Sequence, residues 1–222
     1  MSLAFGDSAR WSVVTLQESD AGRVLEYLGR DPLMNVYLIS RIRDDGIVAN
    51  STTEVRRNGE TVCVATLGSN IVLASQPPRS SESLGPAMSI LAERITARGI
   101  PVRAIVSESE LVEHLWRHLA SKVDPPTVVR LNQPVYALRR KPADMFPGLS
   151  NVRYSTLADL DELVPACAAM HKEEVGIDPL ERDAFGYRER IRELILGGRS
   201  LILRRESQIA FKCELSAVTA SA

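Results

Sequence analysis

The chain has 222 residues, 45% apolar and 25% charged, an ordinary balance for a soluble globular protein with a buried core. A formal net charge of −1 and an aromatic content of 5% argue against a nucleic-acid partner, which needs a basic surplus or stacking platforms. No apolar run approaches the ~20 residues of a membrane helix, and no basic segment followed by an apolar run opens the chain, so no membrane and no signal peptide are expected. Cys63, Cys167 and Cys213 are three in number and far apart, which predicts reduced thiols of a cytoplasmic protein rather than a disulfide framework.

In chain order, residues 11–16 read as a strand, and Ser19 or Asp20 is placed to cap a helix running to Gly29. Asp31-Pro32 is expected to start a second helix, with Leu33, Val36, Tyr37, Ser40 and Arg41 at helical spacing. Residues 44–60 read as a loop and a weak strand turning at Asn58-Gly59, followed by strands over 61–66 and 71–74. A loop over 76–83 precedes an amphipathic helix over 84–98 that stops at Gly99. A strand at 102–106, a helix at 108–122 and one or two strands within 128–138 complete the first half.

Residues 139–148 hold two prolines, a glycine and clustered charge, and are read as an interdomain linker. The second half opens like the first. A strand at 152–154 is followed by a helix capped by Thr156 that runs toward Val175. A break at 176–179, a helix at 185–196 and a hairpin of strands 200–204 and 209–218 around Glu206-Ser207 follow. The two halves thus repeat at the level of elements rather than of residues, with a period of a whole domain. The expected fold is α/β, an α+β sandwich: a mixed sheet flanked by helices, then half of a second such domain. Its divisions are a first domain over 1–140, a linker over 141–150, and an incomplete domain over 151–222.

This order resembles the GNAT superfamily of N-acetyltransferases, and more closely bacterial GNAT proteins with a divergent GNAT-like domain ahead of a standard one. The stretches that carry the likeness are 30–41 (RDPLMNVYLISR), 165–170 (PACAAM), 173–176 (EEVG) and 211–214 (FKCE). The resemblance implies acyl transfer from acetyl-CoA to an amine acceptor, either a small molecule or a peptide. It places the cofactor between two splayed central strands, its pyrophosphate on a glycine-rich loop at a helix N-terminus. No window of the sequence matches that loop, which the resemblance puts beyond Ala222. The chain alone is therefore expected to be inactive, and its complete form active. The alternative is a non-catalytic binding or assembly module.

Within this frame Glu173 and Glu174, at the end of a helix, are the candidate catalytic carboxylates, able to orient an amine or accept its proton through water. A solvated helix end is the competing reading. Lys212 and Glu214 share one strand face and, with Tyr187, are the candidate substrate-binding residues; the alternative is an ion pair under a helix. Arg79, Ser80 and Ser81 occupy the place of a phosphate loop in the first domain, although Pro77, Pro78 and Pro86 remove N–H donors there. His114 and His118 have metal-binding spacing but read as solvent-facing, His171 is a weaker base candidate, and Cys167 reads as a packing residue rather than a nucleophile. Arg188 is read as helix surface. Residues 209–218 would form an apolar edge strand, from which a homodimer, docking on the first domain or aggregation is expected.

Overall fold

The computed structural model describes residues 9–76, 81–130, 133–137 and 151–219, whose strands form two separate sheets. Six helices accompany them among the described residues, giving the expected mixed α/β fold. The chain divides into two compact units between Val135 and Tyr136. The expected linker at 141–150 lies outside the described residues.

The first unit runs β1 (Trp11–Thr15), α1 (Ala21–Leu28), α2 (Val36–Asp45), β2 (Thr52–Arg57), β3 (Glu60–Thr66), β4 (Asn70–Ala74), α3 (Ser81–Ala97), β5 (Ala104–Val106) and α4 (Ser109–Leu119). Its sheet has the order β1-β2-β3-β4-β5, antiparallel except for the parallel pair β4 and β5. Alternation sends Val55, Cys63 and Ala65 into a core with Leu84, Met88, Leu91 and Ile95 of α3 and with α4. Val64 and Ala74 point the other way, into a second core with α1 and α2.

Local chemistry sets the joints. Asn58 and Gly59 stand at φ 53° and 89°, the left-handed pair that turns the β2–β3 hairpin. Gly99 stands at φ +60° after α3, and Ile100 N–H donates to Ile95 O at 3.2 Å, which closes the helix end. Before α1 the cap differs from expectation. Gln17 caps a single 3-10 turn, and the Asp20 carboxylate reaches back to accept Gln17 N–H at 3.0 Å. Asp31-Pro32 likewise does not start α2: Asp31 Oδ1 accepts Met34 N–H at 3.2 Å in a turn, and the helix starts at Val36.

The strands expected within 128–138 are absent from 128–130 and 133–137. Val128, Val129, Val135 and Tyr136 are exposed, and Pro125, Pro126 and Pro134 bring no N–H to a ladder. Alternation without a paired neighbour does not make a strand.

The second unit runs β6 (Val152–Tyr154), a 3-10 turn (Leu157–Asp159), α5 (Leu160–Val175), α6 (Pro179–Leu196), β7 (Ser200–Arg205) and β8 (Gln208–Glu214), in an antiparallel sheet ordered β6-β7-β8. Thr156 caps as expected: Asp159 Oδ2 accepts its N–H at 2.8 Å. Arg153 adds two bonds of 2.8 Å to the two oxygens of Asp159. The second helix starts earlier than expected, at Pro179, capped by Asp178, whose Oδ1 accepts Leu180 N–H at 3.0 Å. It kinks at Asp183 (φ −159°, ψ 80°), which recaps the remainder by accepting Gly186 N–H at 2.8 Å. Strand β8 ends at Glu214, short of the expected Val218, although Leu215 N–H still donates to Arg199 O at 2.7 Å.

The two units share the register of their opening strands. Leu16 N–H meets Thr52 O at 2.9 Å, and Ser155 N–H meets Ser200 O at 2.9 Å. Each hairpin carries one register shift, between Val55 and Arg56 or between Leu203 and Arg204. The left-handed residues also correspond: Asn50 and Gly198 at φ 64° and 63°, then Asn58-Gly59 and Glu206-Ser207 at the turns.

Asp159 ties β6 to the start of α5. The Arg153 guanidinium and the Thr156 N–H and hydroxyl hold its carboxyl well below the usual carboxylate range. Its stabilisation is present above the ordinary carboxylate pKa of about 4 and is lost as pH falls through the depressed native value. Asp159→Ala removes a cap and a charge-assisted pair, and is expected to cost about 2–3 kcal/mol. Hydrogen exchange of the β7 and β8 amides at pH 7 measures it, and the penalty should shrink at strongly acidic pH.

Candidate functional site

On β8 the period of two puts Lys212 and Glu214 on one face, opposite Ile202 and Ser200 of β7. That face lies under the second unit's helices, since fully buried Ile202 packs with Leu163, Cys167, Ile191 and Ile195. Lys212 Nζ donates to Glu214 Oε2 at 2.6 Å, and Cys167 Sγ donates to Glu214 Oε1 at 3.3 Å. The lysine and glutamate side chains are 10% and 17% exposed, so the pair is largely withdrawn from water. A charge pair this desolvated contributes little net stability, and losing one partner is far worse than replacing both.

The electrostatics follow from that packing. Burial pushes the Cys167 thiol up to about 11, and the neighbouring Glu214 charge reinforces the shift. Burial also raises the Tyr187 phenol, with the sulfur of Cys167 next in effect. For Lys212 burial is the largest single influence and favours loss of the proton, but the bond to Glu214 and the neighbouring charges of Cys167 and Glu214 together outweigh it, and the net shift is upward. These shifts favour an ammonium on Lys212, a protonated thiol on Cys167 and a protonated phenol on Tyr187. Tyr187 meets the half-buried His171 edge-on, with ring centroids 6.2 Å apart. A carboxylate has about four acceptor sites, so Glu214 retains acceptor capacity beyond the bonds from Lys212 and Cys167.

Lys212 and Glu214 are thus brought together, with Tyr187 and Cys167 beside them. Glu173 and Glu174 are not part of the cluster; both are exposed at the end of α5. Glu174 lies seven residues from Cys167 and shares its helical stripe, whereas Glu173 does not. Arg188 donates to Asp161 at 2.6 Å on the exposed surface. Arg79 and Ser80 lie outside the described residues, and Ser81 is the first residue of α3. His114 is buried beside Leu111 and Leu115 rather than solvent-facing, because it falls on the inner stripe of α4. Among the described residues no group of three metal-ligating side chains forms.

Two features were missed in the sequence. Cys167 is a partner of the ion pair as well as a packing residue, and its i, i+4 relation to His171 was the available signal. In the first unit Glu54 is fully buried, paired with Arg23 at 2.8 Å and with Arg56. Its signal was a lone carboxylate inside the β-branched run 52–55 (TTEV), followed by two arginines.

The fold and cluster define a two-unit α/β protein whose second unit encloses a lysine–glutamate–cysteine triad beneath two helices. The chain belongs to the family described as Domain of unknown function (DUF4081), whose model matches residues 50–163. That match runs from just before β2 through α4 and into the first turn of α5. No curated protein and no solved structure matches the chain. No helix among the described residues is long and apolar enough to cross a membrane.

The raised thiol gives a direct check. Alkylation of Cys167 by iodoacetamide at pH 8, followed by peptide mass spectrometry, should be at least about tenfold slower than for an unperturbed thiol. Glu214→Gln should accelerate it, because the nearby anion is removed while the Lys212 ammonium remains.

Proposed function

We propose that these residues form the first part of an N-acetyltransferase of the GNAT type, which moves an acetyl group from acetyl-CoA to an amine. The carrying observation is the repeated strand–helix–helix–hairpin unit, with the same register shift and the same left-handed turn positions in both copies. A tandem arrangement of that order is what the sequence resemblance implies. The first unit continues through β4, α3, β5 and α4, the order expected of its domain up to the strands expected within 128–138.

In this reading the amine approaches the Lys212–Glu214 pair. Glu214 accepts a hydrogen bond from the incoming ammonium, and Tyr187 bounds the site through its phenol. Attack by the neutral amine on the thioester needs a proton to leave, and Glu174, on the stripe of Cys167, is the carboxylate placed to receive it through water. Acetyl-CoA supplies the acyl group; the residues named here orient its acceptor. Three cysteines free of disulfides support a reducing, cytoplasmic setting.

A non-catalytic binding module is the second reading, favoured by the open apolar face of the second sheet, with Tyr154 62% and Phe211 51% exposed. Acetyl-CoA titration separates the two. The 222-residue chain should bind no tighter than about millimolar, and the polypeptide of the complete reading frame at micromolar levels. That longer form should acetylate a panel of amines, with Glu214→Gln lowering kcat/KM by about 10- to 100-fold. Absence of acetyl-CoA binding by the longer form would leave the binding module as the function.

A further inference from the structure

The repeat between the units identifies what the second sheet lacks. On the face of β6-β7-β8 turned away from α5 and α6, the pairs Val152–Leu203, Tyr154–Leu201, Leu203–Phe211 and Leu201–Cys213 lie side by side. All six residues are half-buried or exposed. Their register counterparts in the first unit are Val13–Val55, Thr15–Thr53, Val55–Cys63 and Thr53–Ala65. There the same surface is covered: Thr53, Val55, Cys63 and Ala65 are at most 1% exposed, because α3 packs across β1, β2 and β3.

The cover has a definite chemistry. Leu84, Ala87, Met88, Leu91, Ala92 and Ile95 form a stripe at spacings of three and one. Two arginines fasten its end. Arg94 donates to Val13 O at 3.1 Å, and Arg98 donates to Asn50 O at 2.7 Å. Both acceptors have counterparts in the second unit, at Val152 and at Gly198, which repeats the backbone conformation of Asn50.

We propose that the open face of β6-β7-β8 is the seat of an amphipathic helix of the α3 type, supplied by a polypeptide segment outside these 222 residues. Helix α3 cannot serve both sheets, because its whole stripe is 0% exposed on the first. The second unit's own helices occupy the opposite face. A second copy of the chain has its α3 seated in the same way. The inference does not rest on acetyl transfer, since the match of strand register and exposed side chains holds whatever reaction the protein performs.

The test uses the full chain and a fluorescent peptide of sequence 81–98 (SESLGPAMSILAERITAR). Fluorescence anisotropy should show saturable binding with a Kd on the order of 10–100 µM. Phe211→Asp or Tyr154→Asp should weaken it by at least about tenfold, as should Leu91→Asp in the peptide. Both chain positions are more than half exposed, so the folded state should survive, which circular dichroism verifies. Phe185→Ala, at an exposed site on α6, should leave binding unchanged. No binding up to about 1 mM peptide, or binding insensitive to the face substitutions, would overturn the proposal. So would a dimer of the unliganded chain in sedimentation that Phe211→Asp dissolves, since a second copy would then be the occupant.

Discussion

The one-residue register shift in each hairpin decides which side chains lie under the helices. Side chains alternate along a strand, so without a bulge Ile209 and Lys212 would point to opposite faces. The shift between Leu203 and Arg204 changes the phase. Ile209 then packs with the helix-side core, and Lys212 and Glu214 still turn toward Cys167. The first unit has the same phase change: Thr61 lies beside Glu54 on the α1 side, and Val64 joins the core of α1 and α2. If the second bulge were ironed out, Ile209 and the Lys212–Glu214 pair could not share the helix side of the sheet.

Given one backbone plan, the two copies place their charge differently. The first unit buries Glu54 where the second has Ile202, and balances it with Arg23 and Arg56. It keeps Val64 and Leu28 where the second has Lys212 and Cys167. The arginine just after the bulge is present in both. Arg56 turns to Glu54, and Arg204 turns to Glu162 of α5 at 3.1 Å. Each copy thus encloses a cluster of charge on the helix side of its hairpin, at different positions along the strand. Buried charge needs partners wherever it falls, and the helix above has changed to match: Arg23 in one copy, Cys167 in the other. The second arrangement leaves an ammonium and a carboxylate beside a phenol and an imidazole, a grouping with more chemistry than a guanidinium-locked glutamate.

Most elements were legible because their signals are local. Asn58-Gly59 and Gly99 need left-handed backbone, and Thr156 with Asp159 three residues later makes a capping box. The misses had non-local causes. The alternating residues of 128–130 and 133–137 have no ladder partner among the described residues, which no window of sequence displays. His114 was misplaced because its helix buries a stripe that includes it, and a histidine on a polar-looking helix does not announce that. Lys212, Glu214 and Tyr187 were legible as residue types on a face, but their convergence depends on a bulge and on Cys167 some 47 residues away. Glu173 and Glu174 were legible as adjacent acids at a helix end, but adjacent helical residues face different ways, and only Glu174 shares the stripe of Cys167.

The family match and the chemistry lie in different places along the chain. The matched span, 50–163, ends before Cys167, Tyr187, Lys212 and Glu214, and begins after α1 and α2. The matched span therefore covers β2 to β5, α3 and α4 of the first unit and none of the cluster's residues. The span contains the β2–β3 hairpin and α3, which together form the covered version of the face that stands open on β6-β7-β8. A protein that builds the same three-stranded platform twice, and covers one copy with a helix, leaves the other with an unmet burial requirement. Its apolar residues are too regular in register with Val13, Val55 and Cys63 to be incidental surface. The two faces of the second sheet thus differ in chemistry: the Lys212–Glu214 pair lies on the helix side, and exposed apolar side chains such as Tyr154 and Phe211 lie on the other.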